Sequence, residues 1–282
     1  MKQSGIKIEP ERTGIVMGTA MAGIATIAYT QEALTGASHK KVGPRFIPKI
    51  LGNIAAANIA IDYNIQGPSF TVSTACSSGG DAINTACMCM QSGKADIMLA
   101  VGAESVLCPL VIYSLANAKA LSRRNDSPST ASRPFDVTRD GFVIGEGGGA
   151  LVLETEESAN GRNARKYAEI KGYAQAHRPV SYDNSEVDSK AVVEVIEKAC
   201  VNAGIEADNI DFVCCDDRKI IKTLMPCYDV SQEIGNARAA ASAMTAAYAA
   251  ELLSDSEKNY EYGLALSMGA GGTYSAVILR KA

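Results

Sequence analysis

The chain has 282 residues, of which 47% are hydrophobic and 21% charged, a composition typical of an ordered globular protein. A formal net charge of −4 leaves no basic excess to neutralise phosphates, so we expect no nucleic-acid partner. The 8 cysteines do not form a disulfide framework in a chain of this length, and their spacings match no zinc motif. No apolar run reaches the roughly 20 residues of a membrane span, and no signal-peptide core precedes the first strand. These features predict a cytoplasmic protein with no membrane span, metal or cofactor.

The first half of the chain alternates strand and helix patterns. Apolar and β-branched runs predict strands at 13–20, 69–73, 95–104 and 150–154. Helical spacing of apolar residues predicts helices at 24–34, 50–61 and 81–90. The run at 95–104 is apolar almost throughout, which is typical of a strand covered on both faces of its sheet. Residues 122–132 are polar and are predicted to form a loop.

The second half repeats the alternation. We predict strands at 167–173, 210–215, 262–267 and 275–279. An amphipathic helix at 186–202 should end at Gly204, and an alanine-rich helix is predicted at 236–253. This alternation indicates an α/β architecture with mostly parallel sheets.

Cys76 lies where a predicted short buried strand turns into a helix. Its sulfur would feel the positive end of the helix dipole, which favours the thiolate. The N–H groups of the first helical turn have no partner within the helix, so they could hold an oxyanion. Small residues here predict that an acyl chain can approach closely; these are Ala75, Ser77, Ser78, Gly79 and Gly80. This is the local geometry of a nucleophilic cysteine, and the alternative is a buried cysteine with a packing role.

Two long motifs carry a resemblance to a known family. They are GPSFTVSTACSSG at 67–79 and the pair RPFD and RDGFVIGEG at 133–136 and 139–147. Both resemble the β-ketoacyl-acyl-carrier-protein synthases (ketosynthases) of the KAS II-like type. The resemblance implies a thiolase-like fold, layered α-β-α-β-α, with an N-terminal half at 1–160 and a C-terminal half at 161–282. It also implies that Arg139, Asp140 and Glu146 form buried pairs.

The resemblance assigns roles to four positions of the site. Cys76 would be the nucleophile that accepts the acyl group, and the backbone N–H of Ala270 would be an oxyanion donor. The two catalytic histidines of the family fall at Asp216 and Asn236, and His39 and His177 match neither position. We therefore expect impaired decarboxylative condensation, because general acid–base groups contribute about 10²–10⁴ in rate.

Further expectations concern the partners. The first segment of a ketosynthase is absent, so the first half should be incomplete and its sheet should have an unpaired edge. Lys40, Lys41 and Lys119 fall at positions that resemble the carrier-docking patch of the family. The implied partners are an acyl carrier protein and a second subunit, in a homodimer or in a heterodimer with a ketosynthase-type chain.

Three functions stay open. The chain could be an acyltransferase-type enzyme that handles carrier-protein thioesters in fatty acid or polyketide biosynthesis. It could be a non-catalytic subunit, comparable to the chain-length factors of ketosynthase heterodimers. It could also be part of a split synthase. The intact Thr-Ala-Cys-Ser-Ser sequence at 74–78 favours the first, because a structural subunit needs no thiol.

Overall fold

A computed structural model describes residues 3–35, 42–180, 187–215 and 225–282 of the chain. The strands before residue 155 form one sheet, in the order β2-β1-β3-β4. They are β1 (Thr13–Gly18), β2 (Ser69–Val72), β3 (Ile97–Glu104) and β4 (Gly147–Glu154). β1 pairs in parallel with β2 and β3, whereas β4 runs antiparallel to β3.

The strands after residue 167 form a second sheet, in the order β5-β9-β8-β6-β7. They are β5 (Ala168–His177), β6 (Phe212–Cys215), β7 (Cys227–Asp229), β8 (Tyr262–Gly269) and β9 (Thr273–Lys281). β6 pairs in parallel with β7 and β8, and β9 runs antiparallel to β8 and β5. Both sheets are therefore mixed: the first is mostly parallel, as predicted, whereas the second has as many antiparallel strand pairs as parallel ones. The predicted division at 160/161 falls between their strands and stays a prediction about domains.

The helices cover the sheets in layers. They are α1 (Ile24–Thr35), α2 (Phe46–Ile50), α3 (Ile54–Tyr63), α4 (Ser78–Gln91), α5 (Pro109–Asn117), α6 (Glu156–Gly161), α7 (Ser189–Ala203), α8 (Ser231–Ile234) and α9 (Ala239–Ser254). α4 and α9 pack between the two sheets, α3 packs against the first sheet and α7 against the second. This is the α-β-α-β-α order that the sequence predicted.

Small side chains allow the central layer to pack this closely. A Cβ on Gly79 would lie 2.6 Å from the Ala239 carbonyl oxygen, and one on Gly80 would lie 2.8 Å from the Ser275 hydroxyl. Residues 77–80 are buried, and Gly79 and Gly80 are fitted against α9 and the second sheet. At Gly79 and Gly80 the space beside the backbone is therefore filled by protein, so these two residues do not provide the predicted close approach for an acyl chain.

Three other local predictions are corrected. The strand predicted as buried at 69–73 is β2, whose first two residues are exposed because, among the described residues, only β1 pairs with it. The helix predicted at 50–61 is interrupted at 51–53, which separates α2 from α3. The sequence reading also missed α5 and the short strand β7.

The side chains of Arg139, Asp140 and Glu146 are exposed, so the expected buried pairs are wrong. Asp140 instead accepts hydrogen bonds from the Arg123 N–H and the Ser122 hydroxyl, and it forms an ion pair with Arg133. These bonds lower the pKa of Asp140 to about 2. These bonds join the two ends of the segment 122–140 at the protein surface, where the charge of Asp140 stays in contact with water.

Two absences hold for the part of the chain that the structure describes. No helix there is long and apolar enough to cross a membrane. No group of three or more His, Cys, Asp and Glu side chains is arranged there to hold a metal ion.

Candidate active site

Cys76 lies on the tight turn that connects β2 to α4, and its side chain is partly exposed. Ala75 adopts the left-handed conformation with φ of 57°, which is uncommon for a residue with a Cβ. The hydroxyl of Ser77 donates to the Thr74 carbonyl at 2.8 Å, and that of Ser78 donates to the Ala75 carbonyl. These bonds hold a sharp strand-to-helix turn, which is the kind of turn that presents a catalytic nucleophile.

The start of α9 fixes the Cys76 backbone from the other side. The Ser242 hydroxyl donates to the Cys76 carbonyl oxygen at 3.0 Å and accepts from the Gly80 N–H at 3.1 Å. The Ser78 N–H donates to the Ala75 carbonyl oxygen. The prediction that the first-turn N–H groups are open to an oxyanion is therefore wrong for Ser78 and Gly80.

Asp81 is the acidic group behind this turn, and its side chain is buried. Its carboxylate accepts hydrogen bonds from the hydroxyls of Thr74 at 2.5 Å and Ser77 at 3.3 Å. Burial raises the pKa of Asp81, and the hydroxyl bonds oppose that shift. Asp81 therefore braces the turn through Thr74 and Ser77.

Arg238 is the residue that sequence reasoning missed. Its Nη1 lies 3.8 Å from the Cys76 Sγ, and its Cζ lies 4.6 Å from the centre of the Phe142 ring. The sequence signal was an arginine at the start of the alanine-rich run of α9, two residues after Asn236. Among the described residues, the structure thus places a cation, and not an imidazole, against the nucleophile.

Two predicted site residues are placed as follows. Asn236 lies just before α9, where its Oδ1 accepts the Arg238 backbone N–H at 3.0 Å and its backbone bonds to Val143 and Gly145. Ala270 is exposed in the turn between β8 and β9. The preceding Gly269 lies so close to the Thr74 carbonyl that a Cβ would collide with it. The Ala270 turn is therefore adjacent to the Cys76 turn.

The remaining predicted positions are not part of this cluster. Lys119 is exposed just after α5, and His177 is exposed at the end of β5, with its Nδ1 3.3 Å from the Thr273 hydroxyl oxygen. Lys40, Lys41, His39 and Asp216 lie outside the described residues.

Comparison with known proteins identifies the family. The family model for the N-terminal domain of β-ketoacyl synthases matches residues 1–159, more than half of the chain. The chain belongs to the β-ketoacyl synthase family. The predicted recognition is therefore confirmed, and so is the fold class, because solved ketosynthases share the architecture.

Several curated members of the β-ketoacyl synthase family are similar in sequence. A 3-oxoacyl-[acyl-carrier-protein] synthase 2 of Vibrio cholerae is 34% identical over 281 residues, which are 99% of this chain and 65% of the relative. The Rhizobium meliloti enzyme of the same name is 38% identical over 202 residues, 71% of this chain and 48% of the relative. The chain thus spans about half to two thirds of the length of these relatives.

Solved structures of the family are also similar. A type II polyketide ketosynthase in complex with its acyl-carrier protein has a TM-score of 0.90 and 25% identity, covering 100% of this chain and 82% of the other. A β-ketoacyl synthase from Burkholderia phymatum has a TM-score of 0.85 and 23% identity, covering 96% and 76%. The second likeness concerns the fold alone.

Proposed function

We propose that this chain accepts an acyl group on Cys76 from a carrier-protein thioester and passes it to an acceptor in fatty acid or polyketide biosynthesis. The observation that carries this proposal is the partly exposed Cys76 thiol on a braced strand-to-helix turn. Family membership supports the substrate class, since the curated relatives are named as synthases that act on acyl-carrier-protein substrates.

The proposed chemistry is thioester exchange. The Cys76 sulfur attacks the carbonyl carbon of the carrier thioester, and the carrier sulfur leaves as the new S–C bond forms. The N–H groups of Cys76 and Ala270 are the proposed oxyanion donors, each worth about 10²–10³ in rate. Ala270 is supported in this role by the closeness of its turn to the Cys76 turn.

We propose that decarboxylative condensation is strongly suppressed. Neither Asn236 nor Asp216 supplies an imidazole at a histidine position of the family. The Asn236 Oδ1 accepts the Arg238 backbone N–H, so the side chain has only its neutral Nδ2 group to offer as a donor. Loss of each acid–base group should lower the rate of condensation by a factor of about 10²–10⁴.

The carrier protein is the proposed donor partner, with Lys119, Lys40 and Lys41 as its docking residues. The exposed position of Lys119 supports this assignment. An acidic carrier surface would meet these lysines through interactions that weaken as salt rises. Replacing Lys119 with Glu should slow loading at low salt without changing the Cys76 turn.

Intact mass spectrometry tests the acyl acceptor. Wild type and Cys227→Ala, incubated with acyl-loaded carrier protein, should each gain one acyl mass, whereas Cys76→Ala should gain none. Cys227 is the matched control, because it and Cys76 are the two partly exposed cysteines and the other six are buried. An unmodified wild-type chain, in the presence of a carrier that loads a known ketosynthase, would contradict the proposal.

A second function is favoured by the exposed edge of the first sheet. Among the described residues, β2 pairs on one side only, and its Phe70 is 45% exposed. This edge could pair with a second subunit, which is the proposal of a chain-length-factor-like partner in a ketosynthase heterodimer. In that case, Cys76→Ala would leave the activity of the complex unchanged.

A further inference from the structure

The guanidinium of Arg238 is held in place against Cys76 by its surroundings. Its backbone has φ of 55° and donates its N–H to the Asn236 side chain. The Phe142 ring lies against the guanidinium with Cζ 4.6 Å from the ring centre, as in a cation–π contact. The Nη1 group points to the Cys76 Sγ at 3.8 Å.

The other edge of this guanidinium lies in the protein interior. The Nε and Nη2 atoms of Arg238 are shielded from solvent and have no hydrogen-bond partner among the described residues. The same Nε–Nη2 edge of three other arginines meets a carboxylate in this structure: Arg12 with Asp96, Arg162 with Glu154 and Arg178 with Glu194. Arg133 and Arg280 leave Nε without a described partner but still pair with a carboxylate through Nη2. Of these six arginines, Arg238 is the one with no carboxylate partner among the described residues.

A buried guanidinium keeps its charge, because arginine is not deprotonated in proteins. An uncompensated buried charge is destabilising, and an anion in contact with it removes much of that cost. The Sγ of Cys76 is the group in contact that can become an anion. A cation beside a thiol favours the thiolate, just as the N-terminus of α4 does.

We propose that Arg238 and Cys76 form a guanidinium–thiolate ion pair. In this pair the positive charge of Arg238 stabilises the thiolate and thereby activates the nucleophile. This deepens the proposed function, because the thiolate is the species that attacks the carrier thioester. The step is balanced in charge: the Sγ–C bond forms, the carrier S–C bond breaks, and the negative charge leaves on the carrier sulfur. Arg238 is then a catalytic residue, since it touches the reacting atom.

Other charged groups around the turn are few among the described residues. Asp81 approaches from α4 through the hydroxyls of Thr74 and Ser77. The Gly269–Ala270 side of the turn carries no charged side chain, and His177 is bonded to Thr273 at the start of β9. Asp81 opposes the thiolate and Arg238 favours it, with Arg238 in direct contact with Sγ.

The test is the pH profile of Cys76 alkylation by iodoacetamide, measured in a Cys227→Ala background. Arg238→Met should move the midpoint of the profile up by about one pH unit or more, which lowers the rate at pH 6.5 by about tenfold. Arg238→Lys keeps a positive charge and should move it less. Arg12→Met is the matched control, because Arg12 pairs with Asp96 away from the site, and it should leave the profile unchanged.

Two results would overturn the ion pair. One is an unchanged midpoint in Arg238→Met, and the other is an equal shift in Arg238→Lys, which would mean that shape and not charge matters. Folding of each variant is monitored by thermal unfolding, so that a moved midpoint is interpreted only for a folded protein. Alkylation needs no acyl donor, so failure of carrier loading would leave this result interpretable.

Discussion

Cys76 is positioned by side chains from distant stretches of the chain. Ser77 and Ser78 hold its turn locally, whereas Ser242 and Arg238 reach it from the start of α9. The contact with the Cys76 carbonyl fixes the backbone, and the contact with Sγ sets the charge of the nucleophile. Position and reactivity of one thiol therefore depend on separate residues, which can be tested one at a time.

Gly269 offers a test of the fit between the two turns of the site. An alanine Cβ would collide with the Thr74 carbonyl, and it would also lie 2.7 Å from the Ser77 hydroxyl. We expect Gly269→Ala to reduce the free energy of unfolding by about 1–3 kcal/mol and to slow alkylation of Cys76. Gly147→Ala is the matched control, since its Cβ would meet its nearest atom at 3.8 Å. Equal urea midpoints for the two variants would refute the close fit.

Local residues of the site could be predicted from the sequence, and remote ones could not. The turn at Cys76 is encoded by neighbouring residues, so the strand, the helix and the cysteine between them were all found. Arg238 is 162 positions away, and no local pattern reports which side of α9 faces Sγ. The close packing of Gly79 and Gly80 could not be predicted for the same reason, because their neighbours belong to α9 and the second sheet.

At the scale of elements, one ion pair joins β4 to the end of α6. Arg162 contacts Glu154 at 2.7 Å, with the two side chains 29% and 8% exposed. The same arginine donates to the Ser4 carbonyl oxygen, which ties the start of the chain to this corner. The hydrogen bonds from Arg162 are the largest cause that lowers the pKa of Glu154, and the Ser158 hydroxyl adds to it.

The lowered pKa gives this pair a defined pH dependence. Its stabilising contribution is present above the ordinary value of 4.5 and is lost as pH falls through the lower folded value. We expect Glu154→Gln to lower the free energy of unfolding by about 1–2 kcal/mol at pH 7, with the difference shrinking by pH 3. Urea unfolding at both pH values measures it. A stability difference that grows as the pH falls would contradict the assigned direction of the pKa shift. Asp96→Asn is the control, because Asp96 belongs to a more exposed ion pair and its replacement should have a smaller effect.

Long periodic patterns in the sequence predict the central helices and strands, whereas tertiary contacts determine the shorter elements and the exposure of each strand. The apolar run of β3 and the amphipathic pattern of α7 are long, and α7 ends at Gly204 as predicted, with Gly204 in the left-handed conformation. Short elements such as β7 have too few residues for a period to be recognised. Exposure of β2 depends on what lies beside it, which its own residues do not encode.

At the scale of the whole molecule, the exposed β2 edge is the surface that fits a second subunit. Sedimentation velocity, with and without a KAS II-type synthase, should show an associated species for wild type. Phe70→Lys should reduce it, because a lysine on an edge strand disfavours further pairing. Val201→Lys is the control, since Val201 is 83% exposed on α7, which covers the other sheet. Equal association of both variants would remove β2 as the interface.

The family and the layered fold were predictable because two long motifs and the alternation of elements are properties of the sequence itself. Catalytic activity cannot be predicted from the fold in the same way, since the same fold supports both catalytic and partner subunits. That distinction depends on whether Cys76 works without the family histidines.

A chase experiment on the acylated protein tests this account most directly. The chain is first loaded with acyl-carrier protein and then given malonyl-loaded carrier, and its intact mass is followed over time. We predict an acyl adduct on Cys76 that persists through the chase, with no β-ketoacyl product above the Cys76→Ala background. Rapid loss of the adduct with release of carbon dioxide and β-ketoacyl product, or no adduct at all, would contradict the account.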